Sequence, residues 1–206
     1  MAKRGAYAKS GVRKQRIAAV VLALVAERGH RNVTASEVAA LADVSEPSVF
    51  YHFPSKEALL VAALEYFDNQ QIEPLGHGGT LAAMGRQAEE GVHRTNIVRL
   101  YAELSGASVD PSHPAHTYFQ VRWRRSRTLM AQDIERLKSS GAIPQQIDPD
   151  EAARALLGAW EGLQTQWLLD PTFQIKDELE RLATHIFGTP LEDILAQPVR
   201  ASIRRA

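Results

Sequence analysis

The 206-residue chain contains no cysteine, which excludes disulfide frameworks, thiolate zinc sites and cysteine nucleophiles. It has no apolar run near the roughly 20 residues needed to cross a bilayer, and its start has neither the apolar core nor the cleavage site of a secretory signal. Gly-x-Ser-x-Gly, a Walker loop and a dinucleotide fingerprint are likewise missing. These absences predict a chain that works in a reducing cytoplasm, away from membranes, and is not an enzyme, with no cofactor and no metal. Alternating apolar and polar positions are missing too, so strands are not expected; the spacing reads as helix nearly throughout and predicts an all-α protein.

Neither sign of charge is in excess overall, since 24 Lys/Arg face 24 Asp/Glu, yet the distribution is uneven. Residues 1–56 hold nine basic against four acidic residues, and the rest of the chain fifteen against twenty. The first sixteen residues contribute Lys3, Arg4, Lys9, Arg13, Lys14 and Arg16 without one acid. A basic end on an acidic body predicts contact with a polyanion at that end.

Punctuation divides the chain. Ile17, Val20, Val21, Leu24 and Val25 make one face of a first helix over about 11–28, which Gly29 can end in a left-handed cap. Thr34 with Glu37 forms a capping-box pair that starts a short second helix, reaching about Leu41. Ser45 caps a third, with Pro47 tolerated in its first turn, and Ser55 caps a fourth that runs to about 72. GlyHisGlyGly at 76–79 is the clearest break. Further helices are expected at about 80–91, 94–107, 113–140, 149–169 and 175–188. The expected organisation is a basic arm and helix-turn-helix over 1–56, a helical bundle over 57–188 whose first helix, 57–72, links the two, and a tail over 189–206.

Two short helices joined by a tight turn can present the second to the DNA major groove, where base edges carry a distinct donor and acceptor pattern. Ala39 is small enough for the helix crossing, and Val38, Val44 and Val49 can fix the angle. Ser45, Glu46, Pro47, Ser48, Tyr51 and His52 then point outward, while Val49, Phe50 and Phe53 read as core.

The stretch ThrAlaSerGluValAlaAlaLeuAlaAspValSerGluProSerValPheTyrHisPheProSerLysGluAlaLeuLeu, residues 34–60, resembles the tetracycline-repressor (TetR) family of bacterial regulators. The resemblance implies phosphate contacts from Thr34, Tyr51 and Lys56 and base-edge contacts from Ser36, Pro47, Ser48 and His52. It also implies an arm, including Lys9 and Arg13, that tracks the backbone or enters the minor groove. Ser45 completes the expected DNA-binding set. Two positions depart from the family: Asp43 stands where glycine is usual in the turn, and Phe50 where tyrosine is usual. Asp tolerates positive φ better than most residues, so the turn is expected to survive.

Apolar stripes on the last two long helices can pair with a second chain, and the resemblance implies a homodimer there, with Leu156, Leu163, Leu179, Leu182 and Ile186 at its interface. A two-fold dimer matches a double-stranded operator with two half-sites. A small, largely apolar effector is expected between bundle helices, lined by Tyr101, Tyr118, Trp123, Trp160, Gln164 and Trp167. The implied protein is a repressor released from a palindromic operator when effector moves the fourth helix. Two alternatives compete: an architectural DNA binder without effector, and a helical-bundle metal enzyme built on Glu90, His93, His113 and His116.

Overall fold

The computed structural model describes residues 2–71 and 79–196, with side chains of 2–9, 71, 91 and 92 excepted. The C-terminal arginines Arg200, Arg204 and Arg205 of the expected tail lie outside the described residues. Among those described there is no strand. The helices are α1 (Ala2–Arg28), α2 (Ala35–Leu41), α3 (Glu46–His52), α4 (Lys56–Gln71), α5 (Gly79–Gly91), α6 (Thr95–Ala107), α7 (His116–Ser140), α8 (Pro149–Leu169), α9 (Ile175–Phe187) and α10 (Leu191–Ala196). No described helix is long and apolar enough to cross a membrane.

Local chemistry sets the boundaries. Thr34 Oγ1 accepts from the Glu37 amide at 3.4 Å, Ser45 Oγ from Ser48 at 3.4 Å and Ser55 Oγ from Ala58 at 3.1 Å, so each cap satisfies an amide that lacks a partner within its helix. Asp148 does the same for α8, accepting from Glu151 at 2.9 Å, with Pro149 in the first turn. The capping box at α2 is half realised, because the Glu37 carboxylate pairs with Arg28 at the end of α1. Gly29 follows that end with φ 82° and ψ 151°, a mirror-extended geometry instead of the expected left-handed cap; only glycine enters that region without strain.

The chain forms two compact units, one of residues 1–73 and 94–120, the other of 74–93 and 121–206. Residues 94–120 were expected with the bundle but belong to the unit that holds the helix-turn-helix. The physical reason lies in α1: its buried face, Ile17, Val21, Leu24 and Val25, packs against α4 and α6 as well as α2. α4 offers Leu59, Leu60, Ala63 and Leu64, and α6 offers Ile97, Leu100 and Leu104, all buried. Polar clasps add direction to this packing. Asn96 Nδ2 donates to the Ala26 carbonyl at 3.1 Å, and buried His30 lies 3.0 Å from Glu103 Oε2 through Nε2. Tyr118 donates to Asp68 Oδ2 at 2.7 Å.

The second unit has its own core, drawn from Leu81 and Met84 of α5, Met130 and Ile134 of α7, Leu156 and Trp167 of α8, Leu179 and Phe187 of α9 and Ile194 of α10. Within it, the start of α5 is held by buried Asp133 of α7. Its Oδ2 accepts from the Thr80 amide at 2.5 Å and from the Thr80 hydroxyl, while Oδ1 pairs with Arg136. Gly79, at φ 59°, lies so close to this carboxylate that a Cβ would overlap it.

Candidate DNA interface and bundle groove

α2 and α3 build the reading head. Val38 and Val49 are fully buried, Ala39 is buried at the crossing and Val44 is half-buried. The turn closes by a hydrogen bond from the Val44 amide to the Ala39 carbonyl at 3.0 Å. Asp43 adopts φ 53°, the left-handed conformation that the turn demands and that its short polar side chain tolerates. Its carboxylate lies 3.8 Å from Arg16 of α1, though both side chains are largely exposed.

Ser45, Glu46, Pro47 and Tyr51 are exposed, as are Thr34 and Ser36, while Ser48 and His52 are half-buried. Tyr51 is 84% exposed, a large cost in uncovered aromatic area for a residue with no packing role. Phe50, read as core from sequence, is 44% exposed and needs correcting. In the short α3 the inward direction is taken by Val49, with Phe53 four residues on, so the neighbouring position turns outward. Phe53 itself is buried, with the Lys14 ammonium 5.9 Å from its ring centroid.

The basic N-terminal segment was expected as an arm, yet it continues α1 back to Ala2. The Lys9 side chain lies outside the described residues; Arg13 is exposed on α1. Lys14 and Arg13 make the surroundings of His52 positive. Burial first, then these two cations, hold its imidazole below the usual histidine range. Neutral His52 can offer one donor and one acceptor to a base edge. Its ring meets Tyr51 edge-on, 5.2 Å between centroids.

A histidine whose folded value is depressed disfavours protonation in the native state, so its contribution to stability falls as pH drops through the unfolded value, about 6.5. NMR titration of the free protein is expected to give a His52 midpoint below about 6.5, and Lys14→Ala should move it upward. A midpoint unmoved by that change would remove the cationic influence. Lys56, at the start of α4, donates to the Arg31 carbonyl at 2.9 Å and remains exposed; an ammonium keeps two further donors for a phosphate.

Elsewhere the expected residues separate. Tyr101 and Tyr118 fall in the first unit, where both rings pack edge-on against Phe119. Trp123, Trp160, Gln164 and Trp167 fall in the second. Trp167 is in the core, Trp160 packs on it, and Gln164 is buried with its Nε2 lacking a hydrogen-bond acceptor among the described residues. Trp123 alone of the six lines a groove of about 490 Å³ between α7 and α8, with Arg124, Arg127, Arg154, Leu157 and Gly158. Sequence reasoning missed its three arginines by looking for aromatic walls. The run Arg122, Arg124, Arg125, Arg127 was the available signal.

Of the residues expected at a dimer interface, Leu156 and Leu179 are buried inside the protomer. Both point into the helix pair α8 and α9, whose mutual packing claims the centre of each stripe. Leu163, Leu182 and Ile186 are half-buried at its margins. Two of the histidines weighed for metal binding serve the loop before α7: His116 Nδ1 lies 2.7 Å from the Ser108 carbonyl, and His113 Nδ1 accepts from the Ala115 amide at 3.2 Å. Among the described residues no three metal-ligating side chains converge.

A helix-turn-helix with an exposed, capped second helix beside a basic first helix, together with a second helical unit, is the arrangement of a DNA-binding transcriptional regulator. Residues 17–63 match the profile of bacterial regulatory proteins of the tetR family, and residues 113–189 that of the C-terminal part of BetI-type transcriptional repressors. The chain belongs to the TetR family of transcriptional regulators. A TetR-family transcriptional regulator from Rhodococcus sp. has a similar fold, with a TM-score of 0.66 and 21% identity over 85% of this chain and 98% of its own. The regulatory protein TetR from Rhodobacter sphaeroides gives 0.64 and 21%, over 84% and 97%. Thermus thermophilus FadR, a TetR-family repressor solved with lauroyl-CoA, gives 0.60 and 22%, over 91% and 98%. No curated protein matches the chain.

Proposed function

We propose that this regulator is a homodimeric repressor that binds a palindromic operator and is released by a small-molecule effector held in its C-terminal unit. The observation that carries the reading is the capped, outward α3, with Tyr51, Ser48 and neutral His52 presented beside the positive Arg13 and Lys14. Tyr51, Thr34 and Lys56 then serve as phosphate contacts, and Ser36, Pro47, Ser48 and His52 meet base edges. Ser45 caps α3 and so sets its pitch into the groove. The half-buried Leu163, Leu182 and Ile186, with Leu169 at 83% exposure, form the apolar seat for a second copy. One copy reads one half-site, so two-fold pairing gives an inverted repeat.

Selection from random duplexes tests the core of this reading. It should recover an inverted repeat whose half-site centres lie about one helical turn, roughly 34–36 Å, apart. Enrichment of a single unrepeated site, or none, would overturn the dimeric reading head. On the selected duplex, Ser48→Ala or His52→Ala should relax preference at one base position by about 1–3 kcal/mol. Unchanged specificity profiles for both would remove them from the base-reading set. Lys56→Ala should weaken all duplexes alike and flatten the salt dependence by about one unit of slope; an unaltered slope in a salt titration means that the ammonium touches no phosphate.

A further inference from the structure

Resting on the effector reading above, we infer that the groove between α7 and α8 is a binding site for an organic anion with a flat or branched apolar body. Three arginines line it, and only one of them, Arg127, has an acidic partner among the described residues. Asp150 faces Arg127 at 3.6 Å, and Glu161 is taken by Arg122, which does not line the groove, at 4.0 Å. Arg124 and Arg154 have no acidic partner among the described residues.

Arg127 carries the second observation. Its Nε has no hydrogen-bond acceptor among the described residues, and Asp150 Oδ1 at 3.6 Å holds it only in a long ion pair, on a side chain that is 40% exposed. A donor left without an acceptor is costly unless something supplies the oxygen. A carboxylate does so in two-point fashion, because the guanidinium fork matches its geometry. The remaining walls, Trp123, Leu157 and Gly158, are apolar or bare. Gly158 leaves its stretch of α8 without a side chain, so a ring can lie against backbone there. The volume, about 490 Å³, falls in the range of drug-sized ligand sites, roughly 300–1,000 Å³. The ligand class is thus anionic and amphipathic, where the aromatic residues had suggested a mainly apolar molecule.

Calorimetric titration of the full chain with 2-naphthoate and decanoate, each against its neutral amide, tests the site. Both acids should bind at least tenfold more tightly than their amides. Arg127→Gln and Arg154→Gln should each weaken the acids by about tenfold, while Arg125→Gln, which alters a neighbour that does not line the groove, should leave them unchanged; circular dichroism checks folding of each variant. Equal affinity for acid and amide, no binding of either acid, or acid binding indifferent to Arg127 and Arg154 would each overturn the site. A parallel measurement of affinity for the selected duplex separates the two ideas. An acid that binds through the arginines without loosening DNA upholds the site and removes the effector reading.

Discussion

Phe119→Ala is expected to destabilise the first unit by about 3–5 kcal/mol, the usual cost of truncating a buried phenylalanine. Phe119 is 2% exposed and is the shared member of two edge-to-face pairs, 5.2 Å from Tyr101 and 4.9 Å from Tyr118. Such pairs contribute about 0.5–1.5 kcal/mol beyond the area they bury. The ring sits at the start of α7, one helical turn after fully buried Ala115, so its loss leaves a cavity that the neighbouring side chains cannot readily fill. Tyr118 would lose its packing partner while keeping its hydrogen bond to Asp68. Equilibrium urea unfolding followed by far-ultraviolet circular dichroism reads the change. A loss under about 1 kcal/mol would contradict the packing of this three-ring cluster. Phe119→Leu, which keeps most of the volume, should cost less than half as much.

Asp133→Ala should cost the second unit about 2–6 kcal/mol, because it strands two donors of Thr80 at roughly 1–3 kcal/mol each. The effect is local in origin, as Asp133 acts as the cap that α5 lacks in its own sequence. Asn at this position keeps one acceptor oxygen and should recover about half of the loss. All three tryptophans, Trp123, Trp160 and Trp167, lie in the second unit, so intrinsic fluorescence isolates its transition. Asp133→Ala must shift that transition to lower urea; an unshifted midpoint would mean that the Thr80 donors find water at no cost. Measuring Phe119→Ala by the same fluorescence gives a control, since its primary damage lies in the other unit.

Much of the architecture was legible because helix signals are local. Thr34, Ser45 and Ser55 each cap where their types and spacing predicted, and Asp43 takes the positive φ expected of it. A side-chain oxygen three residues ahead of an amide needs no tertiary partner to do this. The reading head was legible for the same reason, since its residues are contiguous over 34–56. Phe50 was misread because a seven-residue helix has only one inward face, and hydrophobicity alone does not say which neighbour occupies it.

The bundle side was less legible. Six aromatic and polar residues looked alike as pocket walls, yet Tyr101 and Tyr118 pack in one unit and Trp123, Trp160, Gln164 and Trp167 in the other. Leu156 and Leu179 looked like partner contacts but are enclosed by their own chain. Residue type alone does not say what packs against a side chain across the sequence.

The sequence by itself therefore determined the helical class, the caps of α2, α3 and α4, the turn at Asp43 and the family to which the reading head belongs, all of which depend on residues within a turn or two of each other. Only the tertiary structure decided that residues 94–120 join the head's compact unit, that α5 borrows its cap from Asp133, and that Arg124, Arg127 and Arg154 share a groove. Those outcomes depend on long-range packing: the same arginine is a solvated surface charge or a ligand-binding group according to the helix that lies opposite it.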